Sequence, residues 1–209
     1  MFRTGIIFIF ALLVSSTTVF AKGFDEGIEY IKLQRPVATS NPDKVVVTEI
    51  FWYGCPHCFR LEPYVLKWKE TLPAGVEVEL VPSVLNASWM EHARAFFALQ
   101  MMGDVDKVHS KLFTAIHLQN RRLNSVDTLA AFVREQGLDE QKFREYYHSF
   151  PVDTKIRKFR QNEGLYGHNG VPVIIVNGKY RASATNTGSN SRLIEVVDYL
   201  VKKELAEKK

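Results

Sequence analysis

Val45-Val46-Val47-Thr48-Glu49-Ile50-Phe51-Trp52 runs through Tyr53-Gly54 into Cys55-Pro56-His57-Cys58, and the reading of this stretch decides the fold. Its first part is a near-continuous β-branched and aromatic run, which suits a central strand buried on both faces. Pro56 then stands where proline favours the first turn of a helix. The strand therefore passes into a helix that starts at the first cysteine and reaches about Glu70. Pro63 lies inside that helix and is expected to kink it. Gly75 precedes Val76-Glu77-Val78-Glu79-Leu80-Val81, which alternates like a strand. Strand, helix and strand form a βαβ unit, so the two strands are expected to be parallel.

Working outward, Ile28 to Arg35 reads as a first strand, followed by a Pro/Ser/Asn loop through Pro42. Downstream the pattern changes, and no convincing strand occurs from about Ser88 to Gly164. Ser88-Trp89-Met90-Glu91 fits a capping box, and Ala93, Phe96, Phe97, Gln100 and Met101 continue at helical spacing. Further helical stretches cover Asp104 to His117, Ser125 to Gln136 (ended by Gly137), Asp139 to His148 and Asp153 to about Leu165. Strand character returns at Pro172-Val173-Ile174-Ile175-Val176. Asn177-Gly178 then turns the chain into Lys179-Tyr180-Arg181-Ala182, a strong hairpin signal. Ser191 to Glu207 closes as an amphipathic helix with Leu193, Val196, Val197, Leu200 and Val201 on its apolar stripe. The expected architecture is α/β, with a helical block inserted in it.

The N-terminus reads as a signal peptide. Arg3 gives a short positive start, Gly5 to Val14 is apolar and uncharged, and Val19-Phe20-Ala21 ends on small-residue spacing before Lys22. Cleavage is expected after Ala21. The alternative is an uncleaved anchor, but the run is at the low edge of spanning length and Ser15-Ser16-Thr17-Thr18 weakens it. The expected division is therefore residues 1–21 as signal peptide, 22–87 and 166–209 as the two parts of the α/β domain, and 88–165 as the helical insertion. The net charge of +4 is modest, and a solvated surface explains it more simply than a nucleic-acid site.

Export implies a compartment where disulfides persist. The chain has only 2 cysteines, both in one motif. A ring that small constrains little of the unfolded chain, so stability must come from the core and the cysteines are left for chemistry. Two thiols at this spacing can close a disulfide. Cys55 falls where unpaired backbone N–H groups and the positive end of the helix dipole favour an anion. His57 adds a donor, and positive charge if protonated. These effects favour the Cys55 thiolate and hence the reduced protein, which makes the disulfide a stronger oxidant. Cys55 is expected to be the exposed sulfur and Cys58, one turn in, the buried one. The alternatives are an inert disulfide or half of a metal site. Zinc usually takes four ligands, no second cysteine pair exists and the six histidines are scattered, so no metal is assigned.

Tyr53-Gly54-Cys55-Pro56-His57-Cys58 at a strand-to-helix junction, the helical block, and Gly170-Val171-Pro172 before a hairpin together resemble the DsbA family of periplasmic thiol:disulfide oxidoreductases. The resemblance spans nearly all of the chain after the leader. It implies a thioredoxin-like fold with an inserted helical domain, in the periplasm of a Gram-negative cell. It implies an enzyme that donates a Cys55–Cys58 disulfide to reduced, unfolded exported proteins through a mixed disulfide at Cys55. A DsbB-type quinone-linked membrane oxidase would restore the disulfide. No bound cofactor is needed, since the cysteines carry the electrons. A monomer that binds no nucleic acid is expected. Rival readings are an isomerase or reductase of the same fold and a peptide-binding holdase.

Pro56 and His57 enter the expected site as the dipeptide that sets the thiolate. Glu49 lies in the buried strand, where a carboxyl is desolvated and its pKa raised, and it could pass a proton to or from Cys58 through water. Family members carry an acid here. Some also carry a lysine soon after the next strand, which Val81 to Ser88 lacks. By resemblance Val171-Pro172 is a cis-proline loop that faces Cys55 and, with Gly170 loosening the backbone, offers backbone groups to an extended substrate. Trp52, Tyr53, Phe59 and Trp68 could rim an apolar peptide-binding surface, with core packing preferred for Trp52 and Phe59. His168 is expected to be a solvated loop residue, Met101-Met102 core, and Arg121-Arg122 a solvated turn.

Overall fold

The computed structural model describes residues 23–208. The expected signal peptide, 1–21, lies outside them. Five strands form one sheet: β1 (Tyr30–Lys32), β2 (Val45–Phe51), β3 (Val76–Pro82), β4 (Val173–Val176) and β5 (Tyr180–Ala182), in the order β1-β5-β4-β2-β3. β2 and β3 are parallel, and the other neighbours are antiparallel. Among the described residues eight α-helices complete the fold: α1 (Pro56–Lys69), α2 (Met90–Met102), α3 (Val105–His117), α4 (Val126–Glu135), α5 (Glu140–Tyr147), α6 (Phe150–Glu163), α7 (Ala184–Thr187) and α8 (Asn190–Glu207). Helices α2 to α6 fall between β3 and β4 in the chain.

Every residue of β2 is buried, as its unbroken apolar run predicts. Alternate residues face opposite sides of the sheet. Val45 and Val47 pack with Leu61, Val65 and Trp68 of α1 and the apolar stripe of α8. Glu49 shares their parity and so lies on the face that α1 and α8 cover. Ile50, of the opposite parity, joins the core built with α2 to α6, which also takes Val173 and Ile175 of β4; Phe51, at the strand's end, reaches that core too despite sharing the parity of Val47. The inserted helices thus share a core with the sheet.

Helix ends follow local chemistry. The side chains of Ser125, Asp139, Ser149 and Ser189 cap α4, α5, α6 and α8 by accepting backbone N–H bonds. The Asn177-Gly178 turn has positive φ at both residues (50° and 62°), the signature of a tight hairpin. Gly178 is required twice over, since a Cβ there would also sit 1.9 Å from the Val37 carbonyl oxygen.

Several elements differ from the sequence reading. The first strand is shorter than Ile28–Arg35, and Ile28 is exposed. Pro63 lies inside α1 as expected, and the helix runs on past it to Lys69. The capping box at Ser88–Glu91 does not form: the Asn86 side chain caps a short 3-10 turn, Ala87–Trp89, and the Glu91 carboxylate accepts the Tyr147 hydroxyl instead. α6 begins at Phe150 rather than Asp153 because Ser149 caps it and Pro151 fits its first turn. α7 carried no clear sequence signal. Among the described residues no helix is long and apolar enough to cross a membrane.

Candidate active site

The tip of β2 and the start of α1 place the two cysteines. Cys55 is itself the N-cap of α1: its Sγ accepts the backbone N–H of Cys58 at 3.4 Å, and Pro56 occupies the first turn. Both residues hold free thiols. Cys58 is fully buried, as its place one turn in predicts. Cys55 is also covered, at 7% exposure, which corrects the expectation of an exposed sulfur. The cover comes from the Val171-Pro172 loop, whose Val171 carbonyl oxygen lies 3.3 Å from the Cys55 Sγ. The Val171–Pro172 bond is cis.

The two thiols differ sharply in acidity. Cys55 is lowered from 9.0 to about 6. The largest cause is a hydrogen bond from the Cys58 thiol. Burial opposes it, and the backbone N–H groups of Cys58 and His57 and the charge of His57 add to the lowering. The helix N–H groups read from the sequence therefore contribute, but behind the neighbouring thiol. Cys58 is pushed far above the ordinary thiol range, first by burial and then by its donation to the Cys55 sulfur. One sulfur is disposed to be an anion and the other to keep its proton.

His57 is exposed, and its Nδ1 lies 2.9 Å from Arg60 Nη2. Arg60 was not read from the sequence; its place one turn after His57 was the available signal. His57 also lines a cleft of about 370 Å³ with Gly170, Val171, Pro172, Arg181 and Asn186. Glu49 is 3% exposed, and burial followed by the charge of Glu62 raises its carboxyl from 4.5 to about 8. Its Oε2 has no partner.

A buried polar cluster beside α1 escaped the sequence reading. Glu62 lies one turn beyond Cys58. Its Oε2 is 3.3 Å from His109 Nε2, and its Oε1 accepts from Ser110 Oγ at 2.9 Å. The Tyr53 hydroxyl is 2.8 Å from His109 Nδ1. Burial opposes ionisation of Glu62, but the bonds from His109 and Ser110 outweigh it and hold the carboxyl below its usual range. A charged residue at an apolar-face position of each helix was the only signal.

Of the four aromatic residues, Tyr53 and Trp68 are buried in the core rather than rimming a surface. Trp52 and Phe59 are half-buried and pack against the core, the placement preferred for them. Trp52 stacks on Trp89 at 4.7 Å, and Phe59 on His117 at 5.0 Å. His117 Nε2 also meets the Tyr53 carbonyl at 2.8 Å. The side chain of His168, expected in solvent, is 2% exposed. Met101 and Met102 pack against the core, and Arg121 pairs with Glu135. Among the described residues no three His, Cys, Asp or Glu side chains gather as a metal-ligand set.

A sulfur held as an anion at a helix N-terminus, paired with a buried thiol and roofed by a backbone carbonyl, can exchange disulfides. Comparison with known proteins agrees. The family described as "DSBA-like thioredoxin domain" matches residues 67–192. The thiol:disulfide interchange protein DsbA of Pseudomonas aeruginosa is 37% identical over 189 residues, 90% of each chain. That of Azotobacter vinelandii is 35% identical over 94% of this chain and 92% of its own. The crystal structure of Pseudomonas aeruginosa DsbA covers 89% of this chain and 97% of its own with a TM-score of 0.83 at 37% identity. The family match begins beyond the cysteines, but spans as long as these necessarily include Cys55 and Cys58.

Proposed function

This chain belongs to the DsbA family of thiol:disulfide oxidoreductases, and from that premise we propose that Cys55 and Cys58 are its exchanging pair and Val171-Pro172 its substrate edge. The direction of the acidity effect is familiar in the family; what supports the assignment here is the asymmetry between the two sulfurs. In the oxidised protein a substrate thiolate attacks the Cys55 sulfur. The Cys55–Cys58 bond breaks, Cys58 takes the electron pair and a proton, and a mixed disulfide joins Cys55 to substrate. A second substrate thiolate attacks the substrate sulfur of that bridge. Cys55 departs as a thiolate, the substrate leaves with a disulfide, and two electrons remain on the enzyme. Each pKa unit by which Cys55 is lowered favours the reduced enzyme by about 1.4 kcal/mol, or about 30 mV, while pH exceeds that pKa.

Glu49 is the proposed proton carrier for Cys58. Its charge acts on the Cys58 thiol, and a carboxyl titrating near 8 can hold or release a proton at neutral pH. Pro56 starts the helix, and His57 supports the anion. Gly170, Val171 and Pro172 offer backbone groups to an extended peptide, which adds as a strand.

The segment 1–21 is proposed as a cleaved signal peptide, with 22–87 and 166–209 forming the thioredoxin-like unit around a helical insertion, 88–165. The proposed setting is the periplasm, the clients are reduced exported proteins, and a DsbB-type quinone-linked oxidase takes the electrons. No cofactor, nucleic acid or second copy enters the scheme. Cys55→Ser is expected to abolish oxidation of a reduced dithiol peptide. Retained oxidation by that variant would remove the assignment, and a strongly reducing potential would favour a reductase.

A further inference from the structure

His168 is buried two residues before the loop that covers Cys55, and the exchange chemistry leaves it unused. Its Nδ1 lies 2.9 Å from the Gly170 carbonyl oxygen. A carbonyl only accepts, so Nδ1 carries the proton. Nε2 is then the unprotonated nitrogen. It has no hydrogen-bond partner and faces Glu163 Oε1 at 3.7 Å. That carboxylate is itself fixed, accepting from Ser83 Oγ at 2.5 Å and from the Val84 backbone N–H. From the sheet side, Arg181 Nη1 donates to the carbonyls of Tyr166 and Gly167. The loop start is thus anchored on both sides, and His168 supplies the anchor nearest in the chain to Val171.

The consequence follows from peptide planarity. Gly170 carbonyl and Val171 N–H belong to one trans peptide unit and point in opposite directions. Fixing the carbonyl against His168 therefore fixes where the Val171 N–H points. Without such an anchor this unit would be loosely defined, because Gly170 has no Cβ and nothing lies within 4 Å of where one would be.

We propose that His168 is a positioning residue for thiol exchange: its Nδ1–H holds the Gly170 carbonyl, and so aims the Val171 N–H at the edge where a reduced peptide lies beside Cys55. The inference rests on the reading of Val171-Pro172 as that edge. It assigns His168 to substrate alignment, not to the acidity of either sulfur.

The test is steady-state oxidation of a reduced dithiol peptide, with a small-molecule disulfide in excess to restore the Cys55–Cys58 bridge, by wild type, His168→Leu, His168→Asn and Pro172→Ala. His168→Leu is expected to raise KM about five-fold, the scale of one neutral hydrogen bond, with kcat and the Cys55 thiolate titration unchanged. His168→Asn, whose amide can donate from near the Nδ1 position, is expected to recover most of that loss. An unchanged KM in folded His168→Leu, or a moved Cys55 titration, overturns the inference. If Pro172→Ala raises KM and His168→Leu does not, only the role of His168 fails. If neither raises it, the substrate-edge reading fails and the inference with it. Nitrogen NMR of the wild-type ring is independent of whether the variants fold. The Nδ1–H tautomer is expected at neutral pH, and the Nε2–H tautomer would overturn the inference.

Discussion

The Cys55 sulfur lies 3.3 Å from the Val171 carbonyl oxygen, so a helix N-terminus and a loop 116 residues further along the chain share one small surface. The contact explains how a sulfur can be both covered and reactive. The atom over Cys55 is a backbone acceptor, and a neutral thiol can donate to it. The anion loses that bond and relies on the Cys58 thiol and the N–H groups of His57 and Cys58. A substrate strand paired with the loop as proposed would bring its own sulfur to Cys55.

Removing the resolving thiol should trap the intermediate. Cys58→Ser leaves Cys55 able to attack a disulfide-linked pair of single-cysteine peptides, which releases one peptide as its thiol, but removes the thiol that would expel the other from Cys55. The expected outcome is a lasting adduct of one peptide on Cys55, read by mass spectrometry. Rapid loss of the adduct without added thiol would contradict the assigned roles.

The Cys55 shift also sets a stability difference between redox states. In the reduced protein Cys55 titrates at about 6 against an ordinary 9.0. A lowered folded-state value stabilises the fold fully above the unfolded value, and the gain is lost as pH falls through 6. The oxidised protein lacks this thiol. The stability of the reduced form minus that of the oxidised form is expected to rise between pH 6 and pH 9 by up to about 4 kcal/mol. Denaturant titrations of both forms at three pH values check it, and a flat difference would count against the shift.

Glu49 acts with the opposite sign. Its folded-state value of about 8 lies above the ordinary 4.5. The folded protein therefore binds the extra proton between those values, and stability falls as pH rises through that window. Glu49→Gln removes the ionisation. The variant is expected to gain on wild type steadily from pH 5 to pH 8, by roughly 3 kcal/mol at pH 7. If Glu49 also serves Cys58, the same variant flattens the pH profile of thiol exchange. A gain in stability with an unchanged exchange profile would leave Glu49 purely structural.

How far the sequence carried the argument varied from residue to residue. β2 and α1 were legible because one unbroken apolar run, a proline in the first turn and two cysteines all constrain the same few residues. The hairpin at Asn177-Gly178 was legible for a similar reason, since few dipeptides suit two positive φ values. Ser88–Glu91 misled because a capping box needs its glutamate free, and Tyr147 takes Glu91 from a distant helix. The Glu62–His109–Tyr53 cluster was invisible because Tyr53 and His109 are 56 residues apart and meet only after α3 packs on α1. The covering of Cys55 and the burial of His168 have the same origin. Each depends on where a distant loop comes to rest, which spacing alone does not encode.

Gly54 offers a test of packing immediately before the reactive cysteine. A Cβ at this position would sit 2.2 Å from the Trp52 ring, which in turn stacks on Trp89. Gly54→Ala is expected to displace Trp52 and to cost about 1–3 kcal/mol, the usual penalty of overpacking. Denaturant unfolding followed by tryptophan fluorescence reads both effects. Unchanged stability with an unchanged fluorescence signal would show that the indole does not lie across Gly54.

The most direct measurement is the titration of thiolate absorbance at 240 nm in the reduced protein, with Cys55→Ser as the reference that removes the signal. The expected result is a single Cys55 transition with its midpoint near pH 6, and no Cys58 transition below pH 10. A midpoint at the ordinary thiol value of 9.0 would contradict the account.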